Sequence, residues 1–246
     1  MEMSDPGRIS TVIPALNEAG HIEATVRSLK ADPETEIIVV DGGSTDATPS
    51  LAAAAGALVL TTPRGRARQM NSGARAASGE ILFFLHADTL APPEYAEAIR
   101  RALQTPGVSA GAFSLDIAGN SPGLKAVARI TNLRSRWLHL PYGDQGLFLP
   151  KKLFLRLKGF PEQPIMEDFA FIRRLPRHGR LVTLPQTVLT SGRRWQQLGL
   201  WRTTLINQLI IFGYYVGVSP ITLARLYGCS GLSIPNDHGR FGQPLE

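Results

Sequence analysis

A chain of 246 residues, 43% hydrophobic and 19% charged, can bury a substantial core and has no long polar tract of the kind that stays disordered. Its single cysteine, Cys229, excludes an intrachain disulfide framework and a multi-cysteine zinc site, and "MEMSDPGRIS" lacks the basic-then-apolar pattern of a signal peptide, so a cytoplasmic location is expected. The formal net charge of +6 suits nucleic acid, an anionic membrane face or a phosphorylated substrate, but the arginines gather beside glycines and turn residues with no nucleic-acid motif, which favours a pocket.

The first element, "RISTVIPAL", is β-branched and apolar, and Asn17 after it is placed to cap a helix carrying Ile22, Val26 and Leu29 at helical spacing. "EIIVV" is a continuous apolar run, as in a parallel strand covered on both faces, and breaks at "DGGSTDAT" into an alanine-rich helix. "ALVLTT" predicts a third strand, "RARQMNSGARAAS" a third helix, and "EILFFL" a fourth strand that runs into His86 and Asp88. The order βαβαβαβα predicts an α/β fold: a mixed, mostly parallel, Rossmann-like sheet with helices on both faces.

Beyond Pro106, "AGAFSLDI" alternates like an antiparallel strand, "GLKAVARITNLRSRWL" is amphipathic and "QGLFLP" is another short strand. With no linker, repeat or low-complexity stretch, one domain over 1–246 is expected: a nucleotide-binding half at about 8–105, an acceptor half at about 106–195 and a helical segment at about 196–228. The most apolar stretch, "LINQLIIFGYYVGVSPITLA", is interrupted by Asn207, Gln208, two glycines and Pro220, which argues against a transmembrane span. A packed helix or a homodimer surface is the expected reading, ahead of a peripheral contact with the inner face of a membrane.

In an open α/β sheet, ligands bind beyond the carboxyl ends of the strands, and three such ends here read "PALNE", "DGGSTD" and "HADT". Asp41, an acceptor when ionised, suits a base N–H or a ribose hydroxyl, and Gly42 and Gly43 allow close backbone approach. A strand-to-helix turn capped by Ser44, Thr45 and Asp46 explains the same residues equally well. The arginines of "RGRARQMNSGARAASGE" suit a diphosphate.

Together, "STVIPALNE", "EIIVVDGGSTDAT", "GRARQMNSGARAASGEILFFLHADT", "YGDQGLFLPKKLF" and "LKGFPEQPIMEDFAFIRRL" resemble the family 2 glycosyltransferases of the GT-A fold, from about Ile9 to about Trp195. More narrowly, the chain resembles a small bacterial branch that carries "HADT" and "RRW". The resemblance implies an inverting transfer of a sugar from a nucleoside diphosphate sugar, UDP-linked, to an acceptor that is a saccharide, lipid or small molecule. It places Pro14, Asn17 and Glu18 in the first nucleotide-contacting loop, makes Asp41 the reader of the base, and brings Gly43, Arg68 and Asn71 into the donor site. Where a second acidic residue usually follows Asp41, this chain has Gly42.

By the same resemblance, Asp88 is the last aspartate of a DxD motif and the ligand of Mn2+ or Mg2+, and His86 replaces the motif aspartate that touches ribose. A hard cation of this kind is held by few protein oxygens, so one carboxylate suffices, and His86 is assigned to ribose or to a Mn2+ shell. Glu167 and Asp168 match the family's acidic pair, with Asp168 the catalytic base, while Gly143, Asp144 and Gln145 match the sugar and acceptor pocket. An acidic pair merely opening a helix is the structural alternative. Arg194 and Trp195 resemble part of a QxxRW motif, with Arg194 on diphosphate and Trp195 either stacking on a sugar or closing the core; Ser191 in the glutamine position counts against processivity. A sugar nucleotidyltransferase would need a glycine-rich basic loop where "PALNEAG" stands, and a non-catalytic scaffold is suggested only by His86 and Gly42.

Overall fold

Strand β1 (Ile9–Ala15) lies between two parallel neighbours, β2 (Glu36–Asp41) and β4 (Ile81–Phe84), and β3 (Leu58–Thr61) extends the sheet beyond β2. The structure is a computed structural model and describes residues 7–138 and 140–228; Cys229 lies outside them. On the other side of β4 come β7 (Leu147–Pro150), β6 (Val108–Ile117), β8 (Arg180–Thr190) and the short β5 (Thr89–Leu90), giving the order β3-β2-β1-β4-β7-β6-β8-β5. β7 runs antiparallel to both β4 and β6, so "AGAFSLDI" is antiparallel to β7 as expected, yet it is parallel to β8 on its other edge.

Helices cover both faces because successive strand residues point to opposite sides. Ile13, Val39, Phe83, Phe113 and Phe148 build one apolar cluster with Ile22, Val26 and Leu29 of α1 (Ile22–Leu29), with α2 (Thr48–Ala54), and with Tyr95 and Ile99 of α4 (Tyr95–Gln104). Val12, Ile38, Val40, Leu82 and Phe84 build the other with α3 (Arg66–Ala76), Phe154 of α6 (Lys151–Arg156) and Phe171 of α7 (Glu167–Ile172). Phe84, Phe154, Phe160 and Phe171 interlock with ring centroids 4.8 to 5.3 Å apart. Such pairs add about 0.5–1.5 kcal/mol each beyond their burial and seat α7 against the sheet.

Two expectations are corrected. Asn17 does not cap α1, which starts at Ile22 with His21 at its N-cap; the Asn17 side-chain oxygen accepts from the Thr45 N–H at 2.8 Å, so a bond to a neighbouring loop wins over the local cap. The apolar segment is not a packed helix. Of α9 (Leu200–Tyr215) only Thr203, Ile210 and Gly213 are buried, because its large apolar residues lie all round the helix and the domain covers only part of that circumference. α5 (Pro122–Leu138), α8 (Arg193–Leu198) and α10 (Pro220–Leu226) complete this helical side. Among the described residues, no helix is long and apolar enough to cross a membrane.

Candidate active site

The loops after β1 and β2 are laced together. Asn17, in the left-handed region at φ 54°, donates its N–H to Ser44 Oγ at 2.9 Å; Glu18 donates to Thr48 Oγ1 at 2.7 Å and Ala19 to Asp46 Oδ2 at 3.1 Å. This lacing fixes Glu18, whose Oε1 accepts from Arg193 Nη2 at 2.8 Å. The same Arg193 nitrogen lies 3.5 Å from Asp88 Oδ2, so one guanidinium gathers the ends of β1 and β4 at the start of α8. Glu18 Oε2 is buried with no hydrogen-bond partner. Pro14 sits in β1 opposite Val40, one residue before the strand ends.

Asp41 is only 3% exposed, and its carboxylate holds the turn it heads: Oδ2 accepts from Gly43 N at 2.9 Å and Ser44 N at 3.0 Å, and Oδ1 from the Ser44 hydroxyl. Gly42 has a packing reason. A Cβ there would lie 3.0 to 3.2 Å from the amide of Gln69, whose Nε2 donates to the carbonyls of Ala15 and Val40 at 2.8 Å each. The space next to Asp41 is taken by Gln69, whose amide would have to shift to admit a second acid at position 42. Farther along α3, Arg68 pairs with the exposed Glu162 at 3.1 Å, and the Asn71 amide is committed to the backbone of Phe160 in both directions.

The second cluster centres on Arg66, the first residue of α3. Its Nε lies 3.3 Å from Glu167 Oε1 and its Nη2 touches His86 Nε2. Burial, and then the Arg66 charge, hold His86 well below the ordinary imidazole value, so the ring is neutral at pH 7. With Nε2 facing a guanidinium N–H, that nitrogen accepts and the proton sits on Nδ1. Glu167 is 3% exposed; burial raises its pKa, with Arg66 opposing and Asp168 adding. Both acids do open α7, but Glu167 is buried, unlike a member of an exposed doublet.

Asp168 remains partly exposed, and its two oxygens accept from the backbone N–H groups of Gly143, at 2.8 Å, and Phe169, at 2.7 Å. A Cβ on Gly143 would fall 2.4 Å from Asp168 Oδ2 and 2.7 Å from Arg66 Nη2, so only glycine lets the backbone approach this closely. Next to it, Asp144 is pushed up to about 6 by burial, with Arg134 opposing and Asp168 adding, and its Oδ1 has no partner. The Arg134 guanidinium lies 3.4 Å over the Tyr142 ring. Gln145 is fully buried and ties Tyr142 to Phe113 through its amide, which makes it a support of the turn. Arg194 stacks 3.7 Å over Tyr227, and Trp195 packs against the larger apolar cluster.

The raised Asp144 gives a pH dependence. Its folded value lies above the ordinary 3.8, so its stabilising contribution is fully present below that value and is lost as pH rises through about 6. Urea titrations from pH 4 to pH 8 are expected to show a decline to which Asp144 contributes on the order of 1–2 kcal/mol, so that Asp144→Asn makes it shallower while the raised Glu167 keeps the remainder. An unchanged slope in the variant would assign the decline to other groups.

The sequence pointed to Glu18, Asp88, Glu167, Asp168, His86, Gly143 and Asp144, and the structure brings these into two adjoining clusters at the carboxyl edge of the sheet. It named Arg66 only among the arginines of its stretch and gave Gln69 no role; of the arginine pair it weighted Arg194, which stacks on Tyr227, while Arg193 pairs with Glu18 and Asp88. Among the described residues, no three His, Cys, Asp or Glu side chains converge as a metal cage.

The model of glycosyl transferase family 2 matches residues 10–174. Among curated proteins, the chain is similar to glucosyl-3-phosphoglycerate synthase of Mycobacterium tuberculosis, 34% identical over 105 residues that cover 37% of this chain and 32% of that protein. The match thus spans about a third of the relative's length. Among solved structures, a mannosyltransferase from Pyrobaculum calidifontis in complex with GDP-Man and Mn2+ superimposes with a TM-score of 0.65 at 23% identity, covering 93% of this chain and 72% of that one. The Mycobacterium tuberculosis synthase in complex with Mn2+, UDP and glucosyl-3-phosphoglycerate gives 0.59 at 23% identity, covering 83% and 79%. These likenesses are likenesses of fold, and the expected GT-A architecture is the one observed.

Proposed function

The chain belongs to glycosyltransferase family 2, and from that premise we propose that it moves a sugar from a UDP-linked donor to an acceptor hydroxyl, with inversion and with Mn2+ or Mg2+ bound. The observation that carries this reading is Asp168: in the charged cluster around Arg66, it is a carboxylate oriented by two backbone N–H groups and still partly exposed. In the proposed step the acceptor O–H gives its proton to Asp168 while its oxygen attacks the anomeric carbon. The bond to the diphosphate oxygen breaks on the opposite face, its electron pair leaves with the diphosphate, and the configuration inverts. Arg66 and Arg193 favour the charge that grows on the diphosphate.

The donor set suits a metal of the magnesium type, which takes one or two carboxylates and fills its remaining positions with phosphate and water. Asp88 would hold it, and Glu18, paired with the same guanidinium as Asp88 and with its Oε2 unpartnered, is the second carboxylate at this end of the sheet. A bound ion supplies charge neutralisation at the leaving diphosphate. The relatives support a nucleotide donor: the synthase structure holds UDP and the mannosyltransferase GDP-Man. The Gln69-filled space beside Asp41 leaves one carboxylate for the base. One domain with a donor half and an acceptor half, working in the cytoplasm, completes the proposal.

Thermal melts against UDP-, GDP- and dTDP-sugars, each with Mn2+ or Mg2+, test it. UDP with Mn2+ is expected to raise the melting temperature by several degrees at about 100 times Kd, and Asp88→Ala to remove most of the metal-dependent part. No shift with any pairing of donor and metal overturns the reading.

A further inference from the structure

Two exposed apolar stripes run along adjacent helices outside the candidate active site. On α5, Ile130, Leu133 and Trp137 recur at helical spacing; on α9, Trp201, Leu205, Leu209, Phe212 and Tyr215 do the same, and all eight are exposed. Trp201 is 84% exposed and Trp137 77%, far more than large apolar side chains retain when a domain covers them. The helices meet at their starts, where Gly123 packs against Leu200.

The charge on these helices has one sign. Lys125, Arg129 and Arg136 flank the stripe on α5, Arg202 and Arg225 lie on α9 and α10, and all five are exposed. No Asp or Glu occurs from 117 to 143 or from 169 to 228. From this we infer that α5, α9 and α10 form a basic, aromatic platform that docks the protein peripherally on an anionic lipid bilayer. Tryptophan suits the interface between headgroups and chains, leucine and phenylalanine enter the acyl boundary, and each cation meets an anionic headgroup.

A second copy of the chain is the poorer occupant on electrostatic grounds. A two-fold interface lays a patch on itself, so the cations of one copy would face those of the other with no carboxylate on these helices to pair with them. A single apolar span is excluded for the described helices by their length and hydropathy.

Flotation of the full chain with phosphatidylcholine vesicles, with and without phosphatidylglycerol, tests the platform. Binding is expected to be about tenfold or more stronger on the anionic vesicles and to be released by high salt. The double substitution Trp137→Ala with Trp201→Ala should weaken it by about tenfold or more without changing the melting temperature, since both rings are exposed. Arg129→Gln with Arg202→Gln should reduce the difference between the two kinds of vesicle. Absence of flotation on either vesicle, equal flotation of the double tryptophan variant, or a stable dimer that these same substitutions dissociate would overturn it. None of these readouts uses a sugar donor, so the outcome is independent of the proposed transfer.

Discussion

Asp168→Asn is expected to lower kcat by about 10²–10⁴ while leaving the UDP- and Mn2+-dependent thermal shift intact. Asparagine is nearly isosteric, and its side-chain oxygen can still accept from the Gly143 N–H that holds Asp168. What it cannot do is take a proton from an acceptor hydroxyl. The loss should therefore fall on kcat with little change in donor affinity, the signature of an interaction made only in the transition state. Asp144 is the competing candidate, since its carboxyl is pushed up to about 6 and stands beside Asp168. If Asp144 were the base, Asp144→Asn would produce the large loss and Asp168→Asn a small one. Measuring kcat and KM for both variants separates the two.

The parallel half of the fold was legible because its strands are buried on both faces, so "EIIVV" and "EILFFL" appear as unbroken apolar runs between turn residues. β8 was not legible. Its sequence, "RLVTLPQTVLT", carries Pro185 in mid-strand, and its pairing with β6 slips between Phe113 opposite Leu184 and Ser114 opposite Thr187. Proline is tolerated at such a bulge, but no local pattern announces it. β5, two residues long, is made by its pairing with β8 and has no pattern of its own. In the candidate active site, the acids could be placed because they sit at strand ends and at the start of α7. Arg66 and Arg193 could not, because a long side chain acquires its role from its partner. Here those partners are Glu167 and Glu18, each remote in sequence.

Arg66→Met is expected to lower kcat by about 10²–10³ and to destabilise the fold by about 2–3 kcal/mol at pH 8. The rate effect follows from its position: Arg66 touches His86 and Glu167 and its charge is felt by Asp168 and Asp144, so its removal strips this acidic cluster of its central cation. The stability effect is smaller than for a fully buried pair because the Arg66 side chain is 38% exposed. It also has a predictable pH dependence. Arg66 lowers the pKa of both Glu167 and Asp144, so in its absence burial pushes both carboxyls higher still. At pH 5 both are largely protonated in either protein, and the variant loses little. At pH 8 they are held ionised, or neutral against the bulk pH, without their counter-charge, and the full cost appears. Urea unfolding of wild type and variant at the two pH values should therefore give a gap that widens with pH, whereas equal losses at pH 5 and pH 8 would mean that Arg66 acts through packing alone. Arg66→Lys should narrow the gap at pH 8 yet recover little rate, since a single ammonium cannot hold the Glu167 and His86 contacts of a planar guanidinium together.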